Sequence, residues 1–120
     1  MKTVPDMLFY HNPKCSKSRD ALTLAKGAGL EPEVIEYLNA PPDLAELKRL
    51  RALLAVAAKD MIRVDEEAWK KTGLDASKAS EDEIFKAVLK DPIILQRPII
   101  VRKGKRAVIA RPAEKIKEIL

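Results

Sequence analysis

The chain has 120 residues, 47% hydrophobic and 34% charged, an ordinary balance for one globular domain that buries a core without staples. A net charge of +5 points to anionic ligands. One Trp, two Tyr and two Phe, with no stacking series among basic neighbours, argue against nucleic acid. Met7-Leu8-Phe9-Tyr10 reads as a short buried strand ahead of a polar, Pro-containing turn. From Ser16, the positions Ala21, Leu22, Leu24 and Ala25 predict a helix closed by Gly27 or Gly29. Glu33 to Tyr37, with β-branched Val34 and Ile35, predicts a second strand, parallel to the first through a right-handed crossover.

Pro41-Pro42 interrupts the chain, and Asp43 with Glu46 forms a capping pair. Leu44, Leu47, Leu50, Leu54 and Ala57 follow at helical spacing. A shorter helix is expected around Asp65 to Lys71, ending at Gly73. Another starts at Ser80, carries Glu81, Asp82 and Glu83 in its first turn, and presents Ile84, Phe85, Val88 and Leu89 before Asp91-Pro92 stops it. Ile99 to Arg102 and Arg106 to Ile109, joined by Lys103-Gly104-Lys105, read as a hairpin. Pro112 suits the first turn of a closing helix that reaches Leu120. This order predicts a single α/β domain over 1–120. A thioredoxin-like core with a mixed four-stranded sheet spans about 7–40 and 93–120, and a helical insertion spans about 43–91.

No apolar run approaches the roughly 20 residues of a membrane span. The opening Met1 to Asp6 has one basic residue and no long apolar region behind it, so a cytoplasmic protein with no membrane attachment is expected. One cysteine excludes an internal disulfide framework and a Cys-rich zinc site, and one histidine excludes His-Glu-x-x-His chemistry. Four glycines, at 27, 29, 73 and 104, match no nucleotide-binding loop. No metal and no bound cofactor are expected.

The chemistry centres on Tyr10-His11-Asn12-Pro13-Lys14-Cys15-Ser16-Lys17-Ser18-Arg19. A lone cysteine is more often an inert buried residue. Here it sits between a strand and a helix start, where free backbone N–H groups and nearby Lys14, Lys17, Arg19 and a protonated His11 would favour a thiolate. The amides and side chains of Ser16, Lys17, Ser18 and Arg19 could hold an oxyanion beside the sulfur. Ser18 occupies the place of the second cysteine in Cys-x-x-Cys, so any oxidised state of Cys15 needs an external thiol. Arg19, four positions after Cys15, does not fit the Cys-x5-Arg loop of phosphatases.

The motif at 10–19 resembles that of the glutaredoxin-coupled arsenate reductases, in the superfamily that also holds the Spx-like proteins. The similarity continues through Glu36-Tyr37-Leu38, Pro41-Pro42, Leu44 and Leu47. It extends to Arg63 ahead of Gly73-Leu74, Asp91-Pro92-Ile93, Gln96-Arg97-Pro98-Ile99 and Arg111-Pro112. It covers the chain from Leu8 onward. The resemblance implies a thioredoxin-like fold and a Cys15 thiolate that attacks arsenate. Glutathione, as co-substrate, then displaces the adduct, and glutaredoxin completes reduction to arsenite. It maps the three anion-binding arginines onto Arg63, Arg97 and Arg111, and the residue supporting the thiolate onto His11. Pro98 would be the cis proline facing Cys15.

Taken singly, each arginine is one of 23 basic residues and reads as a surface side chain. Guanidinium forks nevertheless match an oxo-acid better than lysine does. Arg97 and Arg111 each precede a proline, which restricts their backbone, whereas Arg63 lies in the helical insertion with no local anchor of its own. The chain departs from the family at Ser16 and Lys17, where Gly and Thr are commoner, at Thr72, where Leu is common, and in ending at Leu120. Two other functions share the fold: a glutathione-dependent thiol reductase acting on another substrate, and a polymerase-binding transcription regulator of the Spx kind. Ser18 argues against the Cys-x-x-Cys switch of the latter. A monomer is the default expectation.

Overall fold

A computed structural model describes residues 7–103 and 106–119. The chain divides into two compact units, one from Met1–Ala40 with Arg97–Leu120 and one from Pro41–Gln96. The first unit holds β1 (Met7–His11), α1 (Ser16–Gly27), β2 (Glu33–Glu36), β3 (Ile99–Arg102) and β4 (Ala107–Ile109), followed by a 3-10 helix at Ala113–Ile119. Together the strands make the mixed four-stranded sheet expected from the element order, in the order β2-β1-β3-β4. β1 runs parallel to β2 and antiparallel to β3, and β3 and β4 form the hairpin. Its expected turn residues Gly104 and Lys105, like Leu120, lie outside the described residues.

Register explains the core of this unit. Phe9 stands opposite Ile100, and Ile100 opposite Val108, so three buried side chains line up across three strands. They pack with Ala21 and Ala25 of α1 and with Ile116 and Ile119 of the final 3-10 helix. The two alanines, four residues apart, lie on one helix face and let the backbone of α1 come close to the sheet. Each fully buried large side chain stabilises the fold by roughly 1.5–3 kcal/mol. β2 is an edge strand whose exposed Glu33 and Glu36 discourage pairing with another chain. α1 ends at Gly27, and Gly29, at φ +83°, takes the left-handed turn that follows. The chain after Pro112 is a 3-10 helix, and the Arg111–Pro112 peptide bond is cis, which the reading of Pro112 as an ordinary helix start did not anticipate.

The second unit is built on α2 (Leu44–Leu54), α3 (Glu67–Lys70) and α4 (Glu81–Lys90), with 3-10 turns at Ala58–Met61 and Pro92–Ile94. Asp43 caps α2 by accepting the Glu46 N–H at 2.8 Å. Ser80 caps α4 in a reciprocal box with Glu83, at 2.9 and 3.1 Å. Leu47, Leu50 and Leu54 are buried, whereas Leu44, at the first position of α2, is exposed. Ala57 falls beyond the helix, because Ala55 turns left-handed at φ +57° and its N–H returns to the Arg51 carbonyl at 3.0 Å. On α4 the buried set is Ile84, Phe85, Ala87 and Val88, and Leu89 faces out. An isolated antiparallel bridge between Ile62 and Leu95 has no counterpart in the sequence reading. The Arg63 N–H to Ile94 and the Gln96 N–H to Met61, both 2.8 Å, flank it.

Candidate active site

The loop between β1 and α1 takes its shape largely from Asn12, which is 3% exposed. Its carbonyl accepts the Cys15 N–H at 3.0 Å, its side-chain oxygen accepts the Lys14 N–H at 3.0 Å, and its own N–H donates to Ser18 Oγ at 3.1 Å. The sequence reading passed over Asn12 as a site residue, although an Asn-Pro pair is a turn signal and Asn oxygens commonly close such turns. This turn delivers Cys15 to the N-cap of α1 in an extended conformation, with its side chain partly exposed.

Burial alone would push the Cys15 thiol up. Opposing it are the Ser18 N–H, the Arg97 guanidinium, which acts by hydrogen bond and by charge, and the Lys17 N–H, and the net result is a thiol below its ordinary value of 9.0. No hydrogen bond of capping geometry reaches the sulfur. The amides therefore favour the thiolate as fixed dipoles facing it rather than as a formed cap.

His11 closes β1 and is 6% exposed. Its Nδ1 lies 2.6 Å from Ser18 Oγ, and its ring meets Phe9 edge-on at 5.6 Å. Burial lowers its pKa below 6.5; Glu36 opposes this and Arg19 and Lys26 add to it. The protonated His11 envisaged from sequence is thus corrected: a desolvated imidazole beside two cations stays neutral at neutral pH. It is not among the main groups acting on Cys15.

The other basic residues divide sharply. Arg97 is 7% exposed and directed at the sulfur, and its peptide bond to Pro98 is cis. Half-buried Arg111 donates to the Arg97 carbonyl at 3.0 Å, bracing the segment that carries the first guanidinium. Exposed Arg19 donates to the Pro13 carbonyl at 2.9 Å, so its fork is engaged by the loop backbone. Lys14, Ser16 and Lys17 are exposed, and Lys17 reaches the sulfur's surroundings through its amide. Ser18 presents its amide to Cys15 but turns its hydroxyl inward, fully buried, onto His11 and Asn12. Arg63 belongs to the second unit. Contrary to its reading as unanchored, it is held there by its N–H to Ile94 and by Asp65 Oδ2 at 3.4 Å from its guanidinium.

Among the described residues, no group of three or more His, Cys, Asp or Glu side chains is placed to hold a metal ion. No helix among them is long and apolar enough to cross a membrane. A partly exposed cysteine whose ionised form is favoured by two amides and a guanidinium can attack an electrophile, and the same donors can stabilise negative charge on its oxygens.

Comparison with known proteins follows the same residues. The model of the ArsC family matches residues 10–119. An arsenate reductase of Neisseria meningitidis serogroup A is 42% identical over 98% of this chain and 100% of its own. A chain of Escherichia coli (strain K12) named Uncharacterized protein YfgD is 43% identical, over 93% of this chain and 94% of its own. The solved structure of an arsenate reductase from Vibrio cholerae superposes with a TM-score of 0.91 at 41% identity, covering 99% of this chain and 100% of that one.

Proposed function

This chain belongs to the ArsC family, and from that premise we propose that it reduces arsenate to arsenite through the Cys15 thiolate, with glutathione and glutaredoxin as the external thiols. The observation that carries the reading is the convergence of the Ser18 and Lys17 amides and the Arg97 guanidinium on one sulfur, which lowers its pKa. The relatives named arsenate reductase supply the electrophile.

In this mechanism the sulfur attacks arsenic, and one arsenate oxygen leaves as water after protonation. The amides and the guanidinium stabilise charge on the remaining oxygens without reorganising, because the loop already holds them in place. Taking As(V) to As(III) requires two electrons. One cysteine cannot supply them as an internal disulfide, so they come from two external thiols. Glutathione bonds to the arsenic of the adduct as a second oxygen leaves as water. The glutaredoxin thiolate then attacks the glutathione sulfur, the arsenic–glutathione bond breaks with its electron pair left on arsenic, and the two thiols depart as a mixed disulfide. Water then releases arsenite and restores Cys15. Arg111 serves this cycle by fixing Arg97. Arg63 lies in the second unit, and the reading does not depend on it.

The test is arsenite formation by the purified protein with arsenate, glutathione and glutaredoxin, alongside the Cys15→Ser variant. Turnover by the native protein and background turnover by the folded variant are expected. Absence of arsenite from protein whose Cys15 alkylates rapidly would overturn the reading. A second reading, glutathione-dependent reduction of another substrate, is favoured by one feature: amides and a guanidinium receive a carboxylate as readily as an oxo-acid. Arsenate-independent turnover of a glutathione mixed disulfide would select it.

A further inference from the structure

Ser18 is a fully buried polar residue of the first unit, with no exposed surface at all. A buried hydroxyl without partners is costly, yet this one sits where both its capacities are used. It accepts the Asn12 N–H at 3.1 Å and meets His11 Nδ1 at 2.6 Å. A hydroxyl has one hydrogen to donate. With the Asn12 N–H on a lone pair, the arrangement that uses that hydrogen sends it to Nδ1 of a neutral imidazole. The proton of the ring then sits on Nε2.

The same residue carries an amide that favours the ionised form of Cys15, together with the Lys17 amide and the Arg97 guanidinium. Side chain and main chain of Ser18 therefore face opposite ways from one Cα. The hydroxyl ties the first turn of α1 to the end of β1, and the amide looks at the sulfur. We infer that Ser18 is a positioning residue, its hydroxyl holding the first turn of α1 against His11 and Asn12 so that its amide and that of Lys17 stay aimed at Cys15. His11 acts on the sulfur through this link, as a neutral hydrogen-bonding post and not as a cation. The surroundings of His11 fit that role: burial, with Arg19 and Lys26 from α1, outweighs Glu36 from β2, which favours the charged ring, and the pKa is lowered from 6.5. Arg97 also acts on the sulfur, through its own guanidinium and outside this link. The inference deepens the proposed reductase reading, since it concerns the same thiolate, but it needs no arsenate to be tested.

The experiment is the rate of iodoacetamide alkylation of Cys15 against pH, in the full chain, with folding checked by circular dichroism. Ser18→Ala should move the midpoint of the curve upward by about one pH unit, a tenfold smaller thiolate fraction at neutral pH. His11→Leu should move it by a similar amount, and the double variant no further than either single one, because both cut one link. His11→Asn, whose amide can stand where Nδ1 stands and meet Ser18 Oγ, should keep the native midpoint. An unmoved midpoint in Ser18→Ala, additive shifts in the double variant, or equal losses in His11→Asn and His11→Leu would each overturn the inference. If Ser18→Ala does not fold, the two His11 variants decide by themselves. Failure of the reductase assay with these shifts intact would count against arsenate alone, since alkylation reads only the sulfur.

Discussion

In the first unit, four polar side chains around Cys15 go inside; in the second, the polar side chains that close helix ends stay at the surface. Among the described residues the buried polar or charged side chains are His11, Asn12, Ser18 and Arg97, all in the unit that carries Cys15. In the second unit, Asp43 and Ser80 cap α2 and α4 from exposed positions, and Asp75 closes a turn onto Ser77. Burying a polar group is costly unless it is paired, so the first unit carries a cost that the second avoids. What it gains is a fixed electrostatic environment around one sulfur. The helical unit shows how little of that is needed merely to fold: two caps and a row of leucines organise its longest helices.

The largest expected effect that sharpens this contrast comes from Arg97. Removing a charge-assisted hydrogen bond costs about 1.5–3 kcal/mol, so Arg97→Ala should lower kcat/KM for arsenate by about 10- to 100-fold. Arg97→Lys should recover part of this, because charge survives while the fork is lost. Steady-state kinetics with arsenate check both, and wild-type kcat/KM in Arg97→Ala would break the assignment.

A smaller effect is expected from the other unit. Ser80→Ala should lower the free energy of unfolding by about 1 kcal/mol, the usual loss for a cap, seen as a lower urea midpoint. Alkylation of Cys15 in the folded variant should be unchanged, and a changed rate would end the division of labour drawn above.

The smallest effect is a pH dependence. Because folding lowers the pKa of His11, the unfolded chain takes up its proton first as pH falls. Stability from this residue is fully present above 6.5, declines below that value, and levels off once pH passes the folded value. Urea unfolding at pH about 7.5 and about 5 should show a slope that His11→Asn reduces. An identical slope in the variant would assign it to other groups.

What could be read in advance followed the range of the interactions. Helix starts are local, so Asp43 with Glu46 announced that of α2, and Ser80 ahead of three acidic residues announced that of α4, from a few residues each. The strands were equally readable, since Phe9, Ile100 and Val108 lie in compact apolar runs. Legibility failed where the outcome depends on distant neighbours. The end of α2 was misplaced because Ala55, no usual helix breaker, adopts the left-handed turn. The bridge between Ile62 and Leu95 joins residues far apart in sequence, and the anchoring of Arg63 depends on it. Leu44 and Leu89 fit the helical spacing yet are exposed, because spacing marks a face without fixing its edges. At the site, the placement of Cys15 between a strand and a helix start could be read from the sequence, but the direction in which the His11 pKa moves could not, since burial decides it. Nor could the inward hydroxyl of Ser18, whose partners lie six and seven residues back.

The loop at Asn12 also carries a rule about which turn-forming residue suits it. Aspartate closes such turns as well as asparagine does, and by shape alone either would accept the Lys14 amide at this position. Only the carboxamide does so without bringing a negative charge near a sulfur whose ionised form the loop favours. Between two side chains of the same outline, compatibility with a neighbouring anion favours the uncharged one.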